Sequence, residues 1–386
     1  MNDTFDTIYE LCIYLYRIME VGDSLSFSAN VHSSNMSFHA YKLPDDFVFD
    51  SASTVSNVFR LCLSVDTATQ VIVGKNITVN SGVTLTPPYR CKGMIIFDYG
   101  TLLNNGKISM TSRGCIATGQ NIYLLQNYDG TYEYVPAVGG AGATAYSLTS
   151  NNTSSHGRNG SNGTKRGTGG GGNGGSRRWN HYVYIARGGN GTSYSGGAGA
   201  GAGNSDGSSG SNVNVSQGSD TGGAGSKGLV RAGNSSGYSV VSTGGQGNPN
   251  GGWESYRGSV SSVYSDVYGT GGLLIIYCSR LFNNGSIQAN GGNTMYANAS
   301  VDNRSTGGAS GGGSVNIFYL TLAIPGNCTA TGGQRYGSAT YHGGLGGNGC
   351  ITITAMAEAR RNSNFYKDSL IQGFFDYEML EKLMEV

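Results

Sequence analysis

Residues 4–20, TFDTIYELCIYLYRIME, place Phe5, Ile8, Leu11, Tyr14, Leu15 and Ile18 at three- and four-residue spacing. Side chains at those intervals share one helix face, so the stretch predicts an amphipathic helix that stops at Gly22. From Phe59 to Arg113 the period changes. VIVGKNITVNSGVTLTP alternates apolar and polar positions from Val71 to Leu85, with breaks at Gly74 and Asn80-Ser81-Gly82, and reads as strands. MIIFDYGTLLNNGKISM follows, where Asn104-Asn105-Gly106 predicts a tight hairpin turn because Asn and Gly tolerate positive φ. The far end, AMAEARRNSNFYKDSLIQGFFDYEMLEKLMEV, regains helical character, interrupted at Gly373, with Phe374, Phe375, Met379, Leu380 and Leu383 on its apolar side. Two such terminal helices either join the chain's own core or dock to a larger assembly.

The strand pattern repeats. MIIFDYGTLLNNGKISMTSRG (Met94 to Gly114) recurs as LLIIYCSRLFNNGSIQANGG (Leu273 to Gly292), with the same apolar opening, the same Asn-Asn-Gly and a Gly after the second strand. SVNIFYLTLAIPGNCTATGG (Ser314 to Gly333) is a weaker third copy in which Pro325-Gly326-Asn327 replaces the turn, and CITIT (Cys350 to Thr354) adds a last short strand. Such self-similarity argues for stacked or duplicated β units. Because the first two copies lie far apart in sequence, a regular solenoid is not expected. The expected arrangement is one sheet or β-layer that a long Gly-rich region leaves and rejoins.

Composition alters this picture at one point. Of 386 residues 66 are Gly and only 6 are Pro. Collagen is excluded by the lack of a strict Gly-X-Y period, and 25 Tyr with 38% hydrophobic residues exceed what a solvated tail carries. The glycines come in runs, among them GGAGA from Gly139, GTGGGGNGG from Gly167, GGAGAGAG from Gly196, GGASGGG from Gly307 and GGLGGNG from Gly343, separated by aromatic and polar segments. An extended three-residue-per-turn helix makes no internal hydrogen bonds. Where side chains are hydrogen or methyl, several such segments can lie close enough to bond to one another. The scarcity of Pro fits, since Pro has no N–H to give.

The Gly-rich runs alternating with Tyr/Ser/Asn-rich loops over about Val138 to Ile353 resemble the polyglycine-II sandwich of receptor-binding adhesins at the long tail fibre tips of T-even phages. The apolar-Asn-Asn-Gly-x-Ile repeats are also similar to glycine-rich tail proteins of other phages. The resemblance implies a virion protein assembled in the host bacterial cytoplasm, joined to other virion or tail proteins through its terminal segments. Phage fibres are often trimers, yet a lattice closed within one chain suits a monomer equally well. The expected fold is mainly β and irregular: a β-strand layer plus a polyglycine-II-type lattice, with short amphipathic helices at both termini. Its expected divisions are an N-terminal attachment segment (1–58), a β domain (59–137), a Gly-rich domain with display loops (138–355) and a C-terminal helical segment (356–386).

If the runs form a rigid frame, the segments between them are loops, and their Tyr, Ser, Asn, Gly, Trp and Arg composition is that of antibody loops. The candidate receptor-binding residues are Arg177, Arg178, Trp179, His181, Tyr182, Tyr184, Trp253, Tyr256, Arg257, Tyr264 and Tyr268. Arg177 and Arg178 could grip phosphate or carboxylate, and the aromatic faces could stack on sugar rings of a bacterial surface glycan or surface protein. The bland alternative makes VYIA (Val183 to Ala186) a buried strand. Charge supports an anionic partner only mildly: Gly139 to Ala355 carries twelve Lys or Arg against five acids, +7, while the rest of the chain carries −6.

Catalysis is not expected. The five acids of the Gly-rich part are isolated, whereas glycosidases need a carboxylate pair about 5–10 Å apart. His32, His39, His156, His181 and His342 sit in no nucleophile or metal motif, and GTGGGGNGG lacks the Lys-Ser/Thr of a phosphate loop. No cofactor, metal, nucleic acid or membrane insertion is expected. Seven scattered cysteines, none in C-x-x-C spacing, predict free and mostly buried thiols, and the acidic N-terminus does not look like a signal peptide. Two functions remain from different classes: a receptor-binding virion protein, or a purely structural virion component such as a head fibre, collar or decoration protein. A host-derived Gly-rich wall protein stands third.

Overall fold

A computed structural model describes residues 4–5, 7–31, 34–64, 68–114, 271–293, 311–334 and 345–356, together with short strands inside 122–243 and at 295–296. These residues are mainly β, in a ten-stranded sheet and a facing four-stranded sheet with smaller strand groups beside them.

After the short β1 (Thr4–Phe5), the periodic stretch forms α1 (Ile8–Ile18). Thr7 caps it: its Oγ1 accepts from the Glu10 N–H (3.1 Å), and the Glu10 carboxylate accepts from the Thr7 N–H (3.2 Å). Ile8, Leu11, Cys12 and Leu15 are buried against the outer face of the large sheet. The apolar stripe of α1 is therefore used inside the chain, and of the two roles expected for it, core formation is the one its burial fits.

The chain turns at Gly22, whose φ of +87° is open to glycine, and forms a hairpin of β2 (Ser24–Val31) and β3 (Ser34–Asp45). Beyond β4 (Val48–Phe49) lies α2 (Ala52–Val58), started by a Ser51/Thr54 capping box. From β3 onward the strands wind into coils. β5 (Thr69–Lys75), β6 (Thr78–Val79) and β7 (Thr84–Leu85) make one coil, and β8 (Gly93–Asn104) with β9 (Lys107–Ser109) makes the next. Within the long segment that follows, β10 (Ile122–Gln126) pairs with β11 (Tyr132–Val135), β12 (Ser176–Trp179) with β13 (Tyr182–Ile185), and β14 (Gly228–Arg231) with β15 (Tyr238–Thr243). Coiling resumes with β16 (Leu273–Asn283) and β17 (Ser286–Gln288). It continues, past β18 (Met295–Tyr296) beside β15, into β19 (Ser314–Ile324) and β20 (Asn327–Thr329), and ends with β21 (Cys350–Ala355).

The coils stack in parallel register. β3, β5, β8, β16, β19 and β21 are successive neighbours in the large sheet, and β7, β9, β17 and β20 are neighbours in the other. One residue of each coil thus lies beside its equivalent in the next: Ile72, Ile96, Ile276, Ile317 and Ile353 form a single lateral row. That row faces the interior, where Ile108 and Ile287 meet it from the second sheet. The opposite face carries Phe97, Tyr277 and Phe318 in register, with Tyr277 stacked on Phe318 (5.2 Å) and Tyr9 of α1 against Phe97 and Tyr277. β-Branched side chains repeating along a pleated surface suit this stack.

Two sequence expectations change here. Asn104-Asn105-Gly106 closes no hairpin, because β8 and β9 lie in different sheets; it is a corner between them. The repeats form stacked coils across two sheets and not a single layer, since the long insertion leaves β8 and β16 free to pair along both strands. Cys12, Cys62, Cys91 and Cys278 are buried free thiols, and Cys328 is a half-buried one.

Asp98 ties two coils together. At the bend of β8 its Oδ1 accepts from the N–H groups of Asn76 and Gly100 (2.8 Å each) and its Oδ2 from that of Ile77 (2.9 Å). Burial raises its pKa, with the N–H donors of Ile77, Gly100 and Asn76 pulling the other way. A carboxyl whose folded pKa lies above the unfolded one keeps its proton longer in the fold. Its contribution to stability therefore falls as pH rises from about 4 through the raised value. Unfolding midpoints measured across that range should show this slope in the wild type and lose it in Asp98→Asn. The variant should also be weaker by about 1–3 kcal/mol, because the Ile77 N–H loses its acceptor. A slope unchanged in Asp98→Asn would assign it to another group.

Candidate binding surface

Insertions leave the coils at one repeated place. The chain departs from the stack after 110–114, after 289–293 and after 330–334, and it returns at 271–272, 311–313 and 345–349. The departing ends bond to each other: the Ser112 N–H donates to the Asn290 carbonyl (3.0 Å), the Gly291 N–H to the Thr331 carbonyl (2.8 Å), and the Thr331 N–H to Asn290 Oδ1 (2.8 Å). Asn293 Oδ1 accepts from the Gln334 N–H (2.7 Å). The returning ends do likewise, Gly271 donating to the Gly311 carbonyl (2.9 Å) and Gly312 to that of Gly347 (2.8 Å).

The two sets are joined by a contact that recurs coil after coil. Gly272 N–H donates to the Met110 carbonyl (2.9 Å), Gly313 to Ala289 (2.7 Å) and Gly349 to Ala330 (2.7 Å). Glycine is required at these seats because the backbones lie against each other: a Cβ on Gly313 would overlap the Gly272 carbonyl oxygen, and one on Gly349 the Gly313 carbonyl oxygen. Among the described residues, glycine N–H groups also meet glycine carbonyls where Gly271 donates to Gly311, Gly312 to Gly347 and Gly346 to Gly333.

The first departure point is also held by two arginines. Arg90, buried despite its charge, donates from Nε to the Gly114 carbonyl (2.8 Å), and Arg113 donates from Nε to the Pro87 carbonyl (2.8 Å). The insertion at 115–270 thus begins from a fixed position. The Gly after each second strand is legible in the sequence, but Asn290, Asn293, Asn348 (whose Oδ1 accepts from the Gly332 N–H at 2.9 Å) and the arginines that hold the corner are not. Their partners are backbone groups far away in the chain, and a local pattern carries no sign of them.

Of the candidate receptor-binding residues, Arg177, Arg178 and Trp179 lie on β12, and Tyr182 and Tyr184 on β13. The antiparallel register sets Arg177 opposite Tyr184 and Trp179 opposite Tyr182, so these residues share one hairpin. Residues Tyr182–Ile185 do form a strand, which matches that half of the bland alternative for VYIA. His181, Trp253, Tyr256, Arg257, Tyr264 and Tyr268 lie outside the described residues. Among the described residues no group of three or more His, Cys, Asp or Glu could hold a metal ion, and no helix is long and apolar enough to cross a membrane. No protein-family model, no curated protein and no solved structure matches the chain.

Proposed function

We propose that the chain is a phage virion receptor-binding protein of the tail fibre, tail tip or spike, recognising a bacterial surface molecule through its Tyr/Ser/Asn-rich loops. The observation that carries this is the shared corner: insertions of very different length all leave and rejoin a rigid β stack at hydrogen-bonded glycine seats. A frame that fixes loop ends and leaves loop sequence free is what a recognition surface needs. In this proposal the Gly runs between 138 and 355 extend the lateral glycine bonding seen at the seats into a polyglycine-II-type lattice. Residues Arg177, Trp179, Tyr182 and Tyr184, which share one face of the hairpin by register, supply aromatic and cationic contacts, with Arg178 on the other face. The terminal helix at 356–386 belongs to the same proposal.

The test is binding of fluorescently labelled protein to a panel of intact bacterial cells. Beside it runs a variant with Trp179, Tyr182, Trp253 and Tyr256 all changed to Ala, its fold checked by circular dichroism. The expected result is saturable binding to some strains and at least a tenfold loss in the folded variant. Wild-type protein that binds none of the strains while incorporating into particles would instead favour the purely structural virion component.

A further inference from the structure

The two ends of the coil stack are finished differently. At the first end α2 seals the interior: Val55, Val58 and Phe59 pack with Tyr41 and Leu43, and the Phe59 ring meets that of Tyr41 edge-on at 5.7 Å. At the last end, among the described residues, β21 has no companion in the second sheet, where β20 is the outermost strand. The outward positions of β21 are already polar, Thr352 and Thr354, and Thr352 Oγ1 donates to Asn316 Oδ1 (2.8 Å). Its inward positions are not. Ile351 and Ile353 continue the interior rows of Val315 and Ile317, yet they are 40% and 43% exposed.

A stack of repeats is stable in water only when its terminal unit hides the interior rows. With Thr352 and Thr354 half-buried on the outer face, the inward isoleucines Ile351 and Ile353 are the positions at this end that need a cover. We infer that the chain's own segment 374–386, FFDYEMLEKLMEV, covers this open end and seals it as α2 seals the other. On a helical spacing its Phe375, Met379, Leu380 and Leu383 fall on one side, and Phe374 with Glu378, Glu381, Lys382 and Glu385 on the other. Reach is ample: β21 leads into Met356, and residues 357–373 can span up to about 55 Å if extended. A second copy of the chain is the competing occupant, pairing end to end through β21.

Hydrogen exchange on the full-length protein distinguishes the occupants, with light scattering giving the mass. Leu380→Asp combined with Leu383→Asp should accelerate exchange of the 350–355 amides at least tenfold and raise binding of an apolar dye. Exchange at 94–97 and 274–277 should stay as in the wild type, which shows that the stack itself is folded. Unchanged exchange at 350–355 in this variant would overturn the inference. If the protein were then multimeric and Ile353→Asp made it monomeric, the cover would be a second copy. Rapid exchange at 350–355 in a monomeric wild type would overturn it too, since the end would be bare.

Discussion

Gly313→Ala is expected to destabilise the coil stack by about 3–5 kcal/mol, enough to unfold a protein of ordinary marginal stability at moderate temperature. The Gly313 N–H is bonded to the Ala289 carbonyl, and a Cβ there would overlap the carbonyl oxygen of Gly272, with Gly271 backbone beside it. Overfilling a site among movable side chains costs about 1–3 kcal/mol, because the neighbours can turn aside. Here the neighbour is the main chain of another coil, already committed through Gly271 and Gly272 to the Gly311 and Met110 carbonyls, so relief in one place breaks bonds in the next. Gly93→Ala is the matched control. Its added Cβ would meet Leu273 at 3.4 Å, an ordinary contact, and its midpoint should move by less than about 1 kcal/mol in either direction. Denaturant unfolding followed in the strand region of the circular dichroism spectrum reads both. Equal losses in the two variants would show that the glycine seats are not close-contact points.

Asn283→Ala should cost about 2–4 kcal/mol. The Asn104 and Asn283 side chains are buried at stacked corners, where Asn104 Nδ2 donates to Asn283 Oδ1 (2.7 Å), and Asn283 Nδ2 donates to the Pro325 carbonyl (2.5 Å) and the Asn327 carbonyl (3.3 Å). Truncation leaves the half-buried Pro325 carbonyl with only the weak Cys328 thiol donor (3.2 Å) and deprives the buried Asn104 amide of one of its two acceptors; each lost partner in a buried place costs about 1–3 kcal/mol. Asn105 and Asn284 form a parallel but exposed pair, Asn284 Nδ2 to Asn105 Oδ1 at 2.8 Å, and Asn284→Ala should cost well under 1 kcal/mol. A second substitution separates hydrogen bonding from volume. Asn283→Asp keeps the size but turns the donor toward Pro325 into an acceptor, so it should be more damaging at neutral pH and partly recover in acid as the carboxyl is protonated. Similar losses at 283 and 284 would remove the buried ladder as a source of stability.

The same corner shows how far the sequence could be read. The repeat of apolar strand, Asn-Asn-Gly and glycine exit is legible, and so are the strand segments, because a period of two is a local property. The hairpin expected at Asn104-Asn105-Gly106 is not what forms, although the residue types that favour a tight turn are all present. What separates a hairpin from a corner is whether Asn104 finds Asn283, and nothing nearby in the chain reports that. The strands β2 and β3 went unread for a related reason. Between Ser24 and Asp45 exposed serines and asparagines dilute the alternation, and what holds β3 in place is its register with β5, from Phe38 opposite Thr69 to Lys42 opposite Val73. The residues Arg177–Tyr184 are conspicuous by composition, as a loop whose pairing into β12 and β13 the composition does not show, whereas the glycine seats and Asn290 acquire their role only through contacts with another coil.

The corner also makes the frame a platform for exchange. The two ends of the longest insertion are pinned side by side, Met110 bonded to Gly272, whatever lies between them. For a flexible loop with fixed ends the closing entropy grows only logarithmically, about 0.6 kcal/mol for each doubling of length. By loop closure alone, replacing residues 115–270 with a much shorter or longer sequence changes the stability of the stack by less than one glycine seat does, the contact of β10 with α1 being a separate loss. A lineage under pressure to alter its surface could swap whole cassettes between Gly114 and Gly271 in a single recombination event, and a library grafted between those two glycines would inherit the same tolerance.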